Sequence, residues 1–382
     1  MIAQDLQNAA RCLRWLPAYG WQWLTRRPPS GNRIHLVIGV ADHFEPAFMP
    51  GAPGPALSPD EQDRRLDRWF ARYPKMADPW RDSDGWPFRH TYFCPAEQYD
   101  AHLTERLAAH CREGWGEIEV HLHHGIHGPD TSDSTRRTLL AFRDALVGHG
   151  CLSRWNGENQ PRYAFVHGNW ALANSAGGRF CGVDEEVQIL SDTGCYADLT
   201  LPSAPDRAQV AKINAIYECA LPLSERAPHR RGRDVRRGRS PETLPLIVQG
   251  PLGMEFVGRT GRRRFLRLEN GELSSANPPT LERLGHWCRI PISVKGRPDW
   301  VFLKLHCHGM DPRDEDTMFG RQIGRFLEEL VGLTQRDDRY RIHFVTAREM
   351  VNIILAACDG CDGGPGDYRD YRLRLIAPAA RV

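Results

Sequence analysis

The sequence predicts an α/β fold, a parallel sheet covered by helices, and three observations carry that expectation. Short, almost continuously apolar runs recur along the chain, as strands buried on both faces require. Most are followed by a segment with apolar residues at helical spacing. Seven or eight such β-then-α units suit a distorted (β/α) barrel of about seven strands better than an open sheet. Function in such folds sits at the C-terminal strand ends, and the polar clusters of this chain fall there.

Taken in order, residues 34–40 read as a buried strand and 89–93 as a second, ended by Cys94-Pro95. Tyr99, Leu103, Leu107 and Cys111 then recur every four residues, the stripe of an amphipathic helix. Residues 118–123 return to strand-like alternation. Leu139, Phe142 and Leu146 mark the next helix, with Ser132 or Ser134 as its N-cap and Gly148 and Gly150 as its stop. Further strands are expected at 163–167, 244–249, 301–306 and 341–345. The last helix opens on Thr346-Ala-Arg-Glu349, a capping-box pattern, before Met350, Val351, Ile353 and Ile354.

Composition bounds the function. The 382 residues are 41% hydrophobic and 26% charged, which excludes wholesale disorder. Lys+Arg of 50 against Asp+Glu of 48 leaves +2, so no global field draws the chain to nucleic acid or an anionic surface. No run approaches the roughly 18 apolar residues of a membrane span. Eleven cysteines, odd in number and dispersed, argue against a disulfide framework and for a reducing, cytoplasmic address. Cys358 and Cys361 form a lone C-x-x-C with no second pair, and read as neither a redox nor a zinc motif.

Residues 1–33 form a separate basic, aromatic segment in which Arg11, Arg14, Arg26 and Arg27 interrupt any signal-peptide core. Leu13, Leu16, Trp21, Trp23 and Leu24 make it a candidate for peripheral docking at the inner membrane. The plainer reading is a helix packed on its own domain or on a partner. The barrel is expected over 34–360, with a tail from 361 to 382. An insertion around 225–240 carries Arg226, Arg230, Arg231, Arg233, Arg236, Arg237 and Arg239. It reads as a solvated, mobile segment rather than a polyanion site. Arg262, Arg263 and Arg264 read as an exposed hairpin turn.

Sixteen histidines ask for an explanation, and four of them stand within seven residues: His121, His123, His124 and His127. Strand alternation puts His121 and His123 on one face, a geometry that suits a divalent metal. The bland alternative is a set of histidines bonded to a polar loop. Asp42, His43 and Glu45 end the first strand, and a carboxylate there completes a His/His/Asp set with an open coordination position. Lys304, His306 and His308 share a face late in the chain, and His167, Asn169 and Trp170 follow the fourth strand-like run. Each could be a strand-end residue capping its loop. In a barrel all four clusters converge on one rim, where metal-assisted hydrolysis with carboxylate and histidine proton transfer fits them. The loops and elbows of nucleotide-binding proteins, serine hydrolases and H-E-x-x-H proteases are absent.

The order of these clusters resembles the polysaccharide-deacetylase superfamily, and more closely a divergent branch associated with exopolysaccharide loci. The matching stretches are Ala41-Asp42-His43-Phe44-Glu45-Pro46, His90-Thr91-Tyr92-Phe93, Glu117 to His124, and Leu303-Lys304-Leu305-His306. Asp192-Thr-Gly194-Cys-Tyr196-Ala-Asp198 is similar to the family's Gly-aromatic-x-x-Asp stretch. The resemblance implies a metal-dependent deacetylase on a sugar or glycan precursor. Its ion would be zinc first, with cobalt, nickel and manganese as alternatives. The likeness is imperfect, because the family carries two adjacent Asp where only Asp42 is acidic here. Either Asp42 is the base and His43 takes the metal-binding place, or Asp42 binds the metal and the base lies elsewhere, Glu45 being one candidate. The family's second histidine falls at Gly125, leaving His123 or His124 to substitute. His306 matches the late histidine that hands on a proton, with His308 its rival. His167, Asn169, Trp170, Asp198, Lys304 and His308 are then expected on the substrate side.

Three readings follow: a metal-dependent sugar deacetylase, another metal-dependent C–N hydrolase on the same barrel, or a glycan-binding or assembly subunit whose catalytic pair has decayed. A nucleic-acid role for the arginine run is set aside.

Overall fold

The computed structural model describes residues 13–52, 54–257 and 265–376. In chain order its elements are α1 (Leu16–Thr25), β1 (Ile34–His43), α2 (Pro59–Ala77), β2 (His90–Pro95), α3 (Ala101–His110), β3 (Gly116–Leu122), α4 (Ser132–Gly148), β4 (Ser153–Trp155) and β5 (Pro161–His167). They continue as α5 (Glu186–Thr193), β6 (Cys195–Asp198), β7 (Ile216–Cys219), β8 (Gly232–Asp234), β9 (Leu246–Val248), β10 (Gly253–Val257), β11 (Phe265–Glu269) and β12 (Glu272–Leu273). Last come α6 (Leu281–Cys288), β13 (Trp300–Cys307), α7 (Glu315–Phe319), α8 (Arg321–Arg336), β14 (Tyr340–Phe344), α9 (Ala347–Asp359) and β15 (Leu373–Leu375).

The architecture is mixed α/β, with a large, mostly parallel central sheet. Its main path runs β12-β13-β1-β2-β3-β5-β6-β9-β7-β8. β1 is central: β13 pairs along one edge, while β14 takes residues 34–38 and β2 residues 40–43 of the other. Among the described strands, antiparallel pairing joins β4 to β5 and β15, β7 to β8 and β9, and β10 to β11. Beyond the ladders, Lys295 N–H donates to Val235 O, Arg237 N–H to Lys295 O and Phe302 N–H to Ile292 O, at 3.1, 2.8 and 2.8 Å. The 292–295 stretch thus bridges the end of β8 to β13.

Alternation along each strand sorts side chains onto two faces. On β1, Leu36, Ile38 and Val40 meet Leu66, Trp69 and Tyr73 of α2 in the outer core. Val37 and Ala41 turn inward onto Met350 and Val351 of α9. On β3, Ile118, Val120 and Leu122 face outward. α2 forms because Ser58 caps it by accepting the Glu61 N–H, Pro59 opens it, and Leu66, Trp69, Tyr73 and Ala77 recur on one side. α9 departs from the expected arrangement of helices outside the sheet. It lies against the inner face, and its residues from Ala347 to Cys358 are buried all round, the apolar ones in the inner core and Arg348, Glu349 and Asn352 held by hydrogen bonds. The expected capping box is present, with Thr346 and Glu349 exchanging side-chain bonds at 3.0 and 3.3 Å.

Thr131, not Ser132 or Ser134, caps α4, because its Oγ1 accepts the Ser134 N–H. In the arginine-rich stretch Arg231, Arg233, Arg236, Arg237 and Arg239 are exposed, while residues 232–234 form the edge strand β8, Arg233 pairs with Glu218 at 2.7 Å, and Arg237 with Asp362 at 3.0 Å. The tail is packed as far as 376, because β15 pairs with β4. The expected turn at Arg262, Arg263 and Arg264 lies outside the described residues. In the first segment Trp15 is buried, while Trp21, Trp23 and Leu24 are exposed. No described helix is long and apolar enough to cross a membrane, and the described cysteines are free thiols.

Candidate metal centre

At the C-terminal end of β3 the inward register brings His121 and His123 together, with ring centroids 4.6 Å apart. His121 is buried, and its Nδ1 lies 2.9 Å from the Val166 carbonyl. A carbonyl only accepts, so the proton sits on Nδ1 and the Nε2 lone pair is free. That Nε2 is buried and makes no hydrogen bond. His123 is set the same way by Glu97, which takes its Nδ1 at 2.6 Å and its backbone N–H at 3.2 Å. Both rings therefore aim Nε2 inward.

The third inward atom is Glu45 Oε1, 3.4 Å from His121 Nε2 and 3.8 Å from His123 Nε2. Burial acts to raise the Glu45 carboxyl, but its contact with His121 and the charge of His121, His123 and His308 hold it down at about 2. A tetrahedral ion with 2.0–2.2 Å bonds spaces its ligand atoms about 3.3–3.6 Å apart, which the 3.4 Å edge meets and the 3.8 Å edge slightly exceeds. His43 stands beside it, its ring centroid 4.7 Å from His121 and 4.7 Å from His308, with Nδ1 buried and unpartnered. His43, Glu45 and His308 form a second ligand-competent triple that shares Glu45. Burial, then the neighbouring imidazoles, pushes His43 well below the usual histidine range, so it rests neutral. His306 is kept neutral by burial and then by Lys304, and its Nδ1 also lacks a partner.

Asp42 lies outside this triangle and belongs to a separate ligand-competent group with His90 and Cys307. Being one residue before His43 on a strand, it faces the outer layer. There its Oδ2 lies 3.0 Å from His90 Nδ1, and its Oδ1 accepts the Gly309 N–H at 2.7 Å. The carboxylate expected from Asp42 is supplied by Glu45. His123 joins His121 here, while His124 turns the other way to meet His167, Cys181 and Glu186. His167 follows Phe165 on the outer face and is likewise outside the centre. Asn169 and Trp170 go with that loop, with Trp170 packed against the outer core. Asp198 and Lys304 are buried in the interior. Burial raises Asp198 to about 7 and lowers Lys304 to about 7, and the Lys304 ammonium donates to Leu199 O at 2.8 Å. His308 is half-buried at the centre itself.

Glu97, Cys181 and Glu186 escaped the sequence reading. Glu97 left one signal, a carboxylate just beyond the C-terminal end of a strand, in Cys94-Pro95-Ala96-Glu97. Cys181 and Glu186 left none, because a dispersed Cys and a helix-start Glu look ordinary. No protein-family model and no curated protein matches the chain.

Proposed function

We propose that the chain is a divalent-metal-dependent hydrolase that removes an acetyl or related acyl group from a sugar in a glycan precursor. The observation that carries this reading is the convergence of three electron-rich atoms, Glu45 Oε1, His121 Nε2 and His123 Nε2, with the protons of both rings directed outward. A divalent cation would satisfy all three atoms at once, and nitrogen-rich ligands with one carboxylate suit zinc. When bound, that ion supplies Lewis acidity and a lowered pKa for water. Around it, neutral His306 takes a proton and returns it to the leaving amine or hydroxyl, while His308 borders the opening and orients the substrate. A distorted barrel is part of this proposal, and the main-chain bonds that link the 292–295 stretch to Val235, Arg237 and Phe302 support it. The acetyl group and the sugar rest on the sequence resemblance alone. Exposed Trp21, Trp23 and Leu24 would let the enzyme reach a lipid-linked precursor at the inner membrane face.

One observation favours a second reading, a glycan-binding subunit without turnover. Asp42 faces away, so Glu45 is left as the inward carboxylate while Glu97 is committed to His123. Acetate release from N- and O-acetylated sugar oligomers separates the two. The hydrolase reading expects metal-dependent release that falls about 100- to 10,000-fold in His306→Ala. Binding without release from the whole panel would establish the second reading instead. Release of another acyl or formyl group from nitrogen would keep the centre and change the substrate.

A further inference from the structure

We propose that His124, His167, Cys181 and Glu186 bind a second divalent ion, a closed structural zinc that clips the 168–186 loop to the ends of β3 and β5. The four residues are buried, and their donor atoms lie within 4.8 Å of one another. His124 Nε2 stands 3.2 Å from His167 Nε2 and 2.9 Å from Glu186 Oε1. His167 Nε2 lies 3.8 Å from Glu186 Oε1, and Cys181 Sγ 3.4 Å from Glu186 Oε2. Zinc bonds of 2.0–2.3 Å place tetrahedral ligand atoms about 3.3–3.8 Å apart, so the cluster needs only small adjustments. Four protein ligands leave no open position, the mark of a structural rather than a catalytic site.

Proton accounting supports an ion. His124 Nδ1 faces Asp130 Oδ2 at 2.9 Å, so that nitrogen carries a proton. Asp130 is itself fixed by Thr135 Oγ1 at 2.9 Å, a carboxylate–histidine arrangement of the kind that orients metal ligands. At Nε2, one proton can satisfy Glu186 or His167 but not both, while the thiol reaches Glu186 Oε2 at 3.4 Å and the Val183 carbonyl at 3.6 Å. A dication with Cys181 as thiolate satisfies all four. Zinc at His167 Nε2 puts that ring's proton on Nδ1, so the Asn169 N–H that approaches it at 3.2 Å has to turn away. The metal-free competitor is an imidazolium at His124 held between Asp130 and Glu186.

The loop needs a clip. It carries Trp170, Ala173, Asn174 and Phe180 at positive φ and is largely irregular. It is tied down where the cluster sits: Asp130 N–H donates to Cys181 O at 2.8 Å, Phe180 N–H to Gly125 O at 3.0 Å, and Ala173 N–H to Glu186 Oε2 at 2.6 Å. Gly125, at φ +63°, lets this approach happen, since a Cβ there would lie 2.4 Å from Cys181 N and O. Because His123 and His124 are consecutive and point opposite ways, an ion on His124 also steadies His123 at the first centre.

The inference does not rest on what the first centre catalyses, and cobalt separates the two, because the first centre has no thiol. Apo protein titrated with Co²⁺ is expected to bind two equivalents and to develop a near-ultraviolet thiolate-to-cobalt band. Cys181→Ser should lose the band and keep one equivalent. His121→Ala should keep the band, and Cys307→Ser, which tests the other buried thiol near histidine, should keep it too. One equivalent in the wild type with no thiolate band would overturn this proposal and leave the first centre standing. A band that survives Cys181→Ser, or a wild type that binds no cobalt, would overturn it as well.

Discussion

Glu97 is the most informative single side chain to remove, because it touches His123 and lies outside the proposed coordination sphere. It holds the ring by Nδ1 at 2.6 Å and anchors the same residue's N–H at 3.2 Å. Burial acts to raise the Glu97 carboxyl, but the bond to His123 keeps it below the ordinary range, so it stays an anion. Glu97→Ala frees the ring to rotate and removes the charge that makes Nε2 a better donor. Loss of such an outer partner weakens metal binding about 10- to 100-fold, or about 1.4–2.7 kcal/mol. Glu97→Gln keeps an acceptor oxygen and should fall at the small end. Zinc affinity measured by competition with a chromophoric chelator at fixed pH checks this, with circular dichroism to confirm folding. A Glu97→Ala protein that folds and binds zinc within about twofold of wild type would refute the orientation argument, because the coupling between a ligand and its outer hydrogen-bond partner would then be missing.

Two further outcomes concern the scaffold. Glu117→Ala strands the buried Arg348 guanidinium, which Glu117 meets at 2.7 Å, although Asp370 at 2.6 Å and the Leu373 carbonyl at 2.9 Å remain; urea unfolding should show a loss of about 3 kcal/mol, and a loss below about 1 kcal/mol would contradict the pairing. Burial, then His343, lowers His35 to about 4 against an unfolded value of about 6.5. Above pH 6.5 both states are neutral and the group is silent; between 6.5 and 4 the unfolded chain takes the proton that the folded chain refuses, so stability falls. Discounted for partial exposure, the loss is about 1–2 kcal/mol. His35→Asn should remove that part of the acid sensitivity between about pH 7 and 4.5 in denaturant titrations, and an unchanged pH slope would contradict it.

What the sequence revealed follows from period and position. β1, β2, β3, β5, β13 and β14 were legible because strands buried on both faces are apolar throughout, and α9 because its capping box is local. α2 was not read, since its buried stripe of Leu66, Trp69, Tyr73 and Ala77 is diluted by intervening and flanking positions rich in charge. The inner placement of α9 depends on tertiary packing that no local pattern encodes. At the centre, His43, His121 and His123 were legible from clustering at strand ends. Asp42 falls outside the His121–His123 triangle because the one-residue register of β1 decides which face a carboxylate takes, and motif likeness does not carry that register. Glu45 then takes the role from beyond the strand end. Cys181 and Glu186 reach His124 only through the fold of the 168–186 loop.

The assignment of the metal centre is tested most directly by the metal content of two variants measured beside wild type. Purified under identical conditions, Asp42→Asn should retain the wild-type content, because Asp42 faces His90 and Gly309. Glu45→Ala should lose the ion of the Glu45–His121–His123 centre and keep any ion on Cys181. Loss in Asp42→Asn together with full retention in Glu45→Ala would contradict the assignment of the centre.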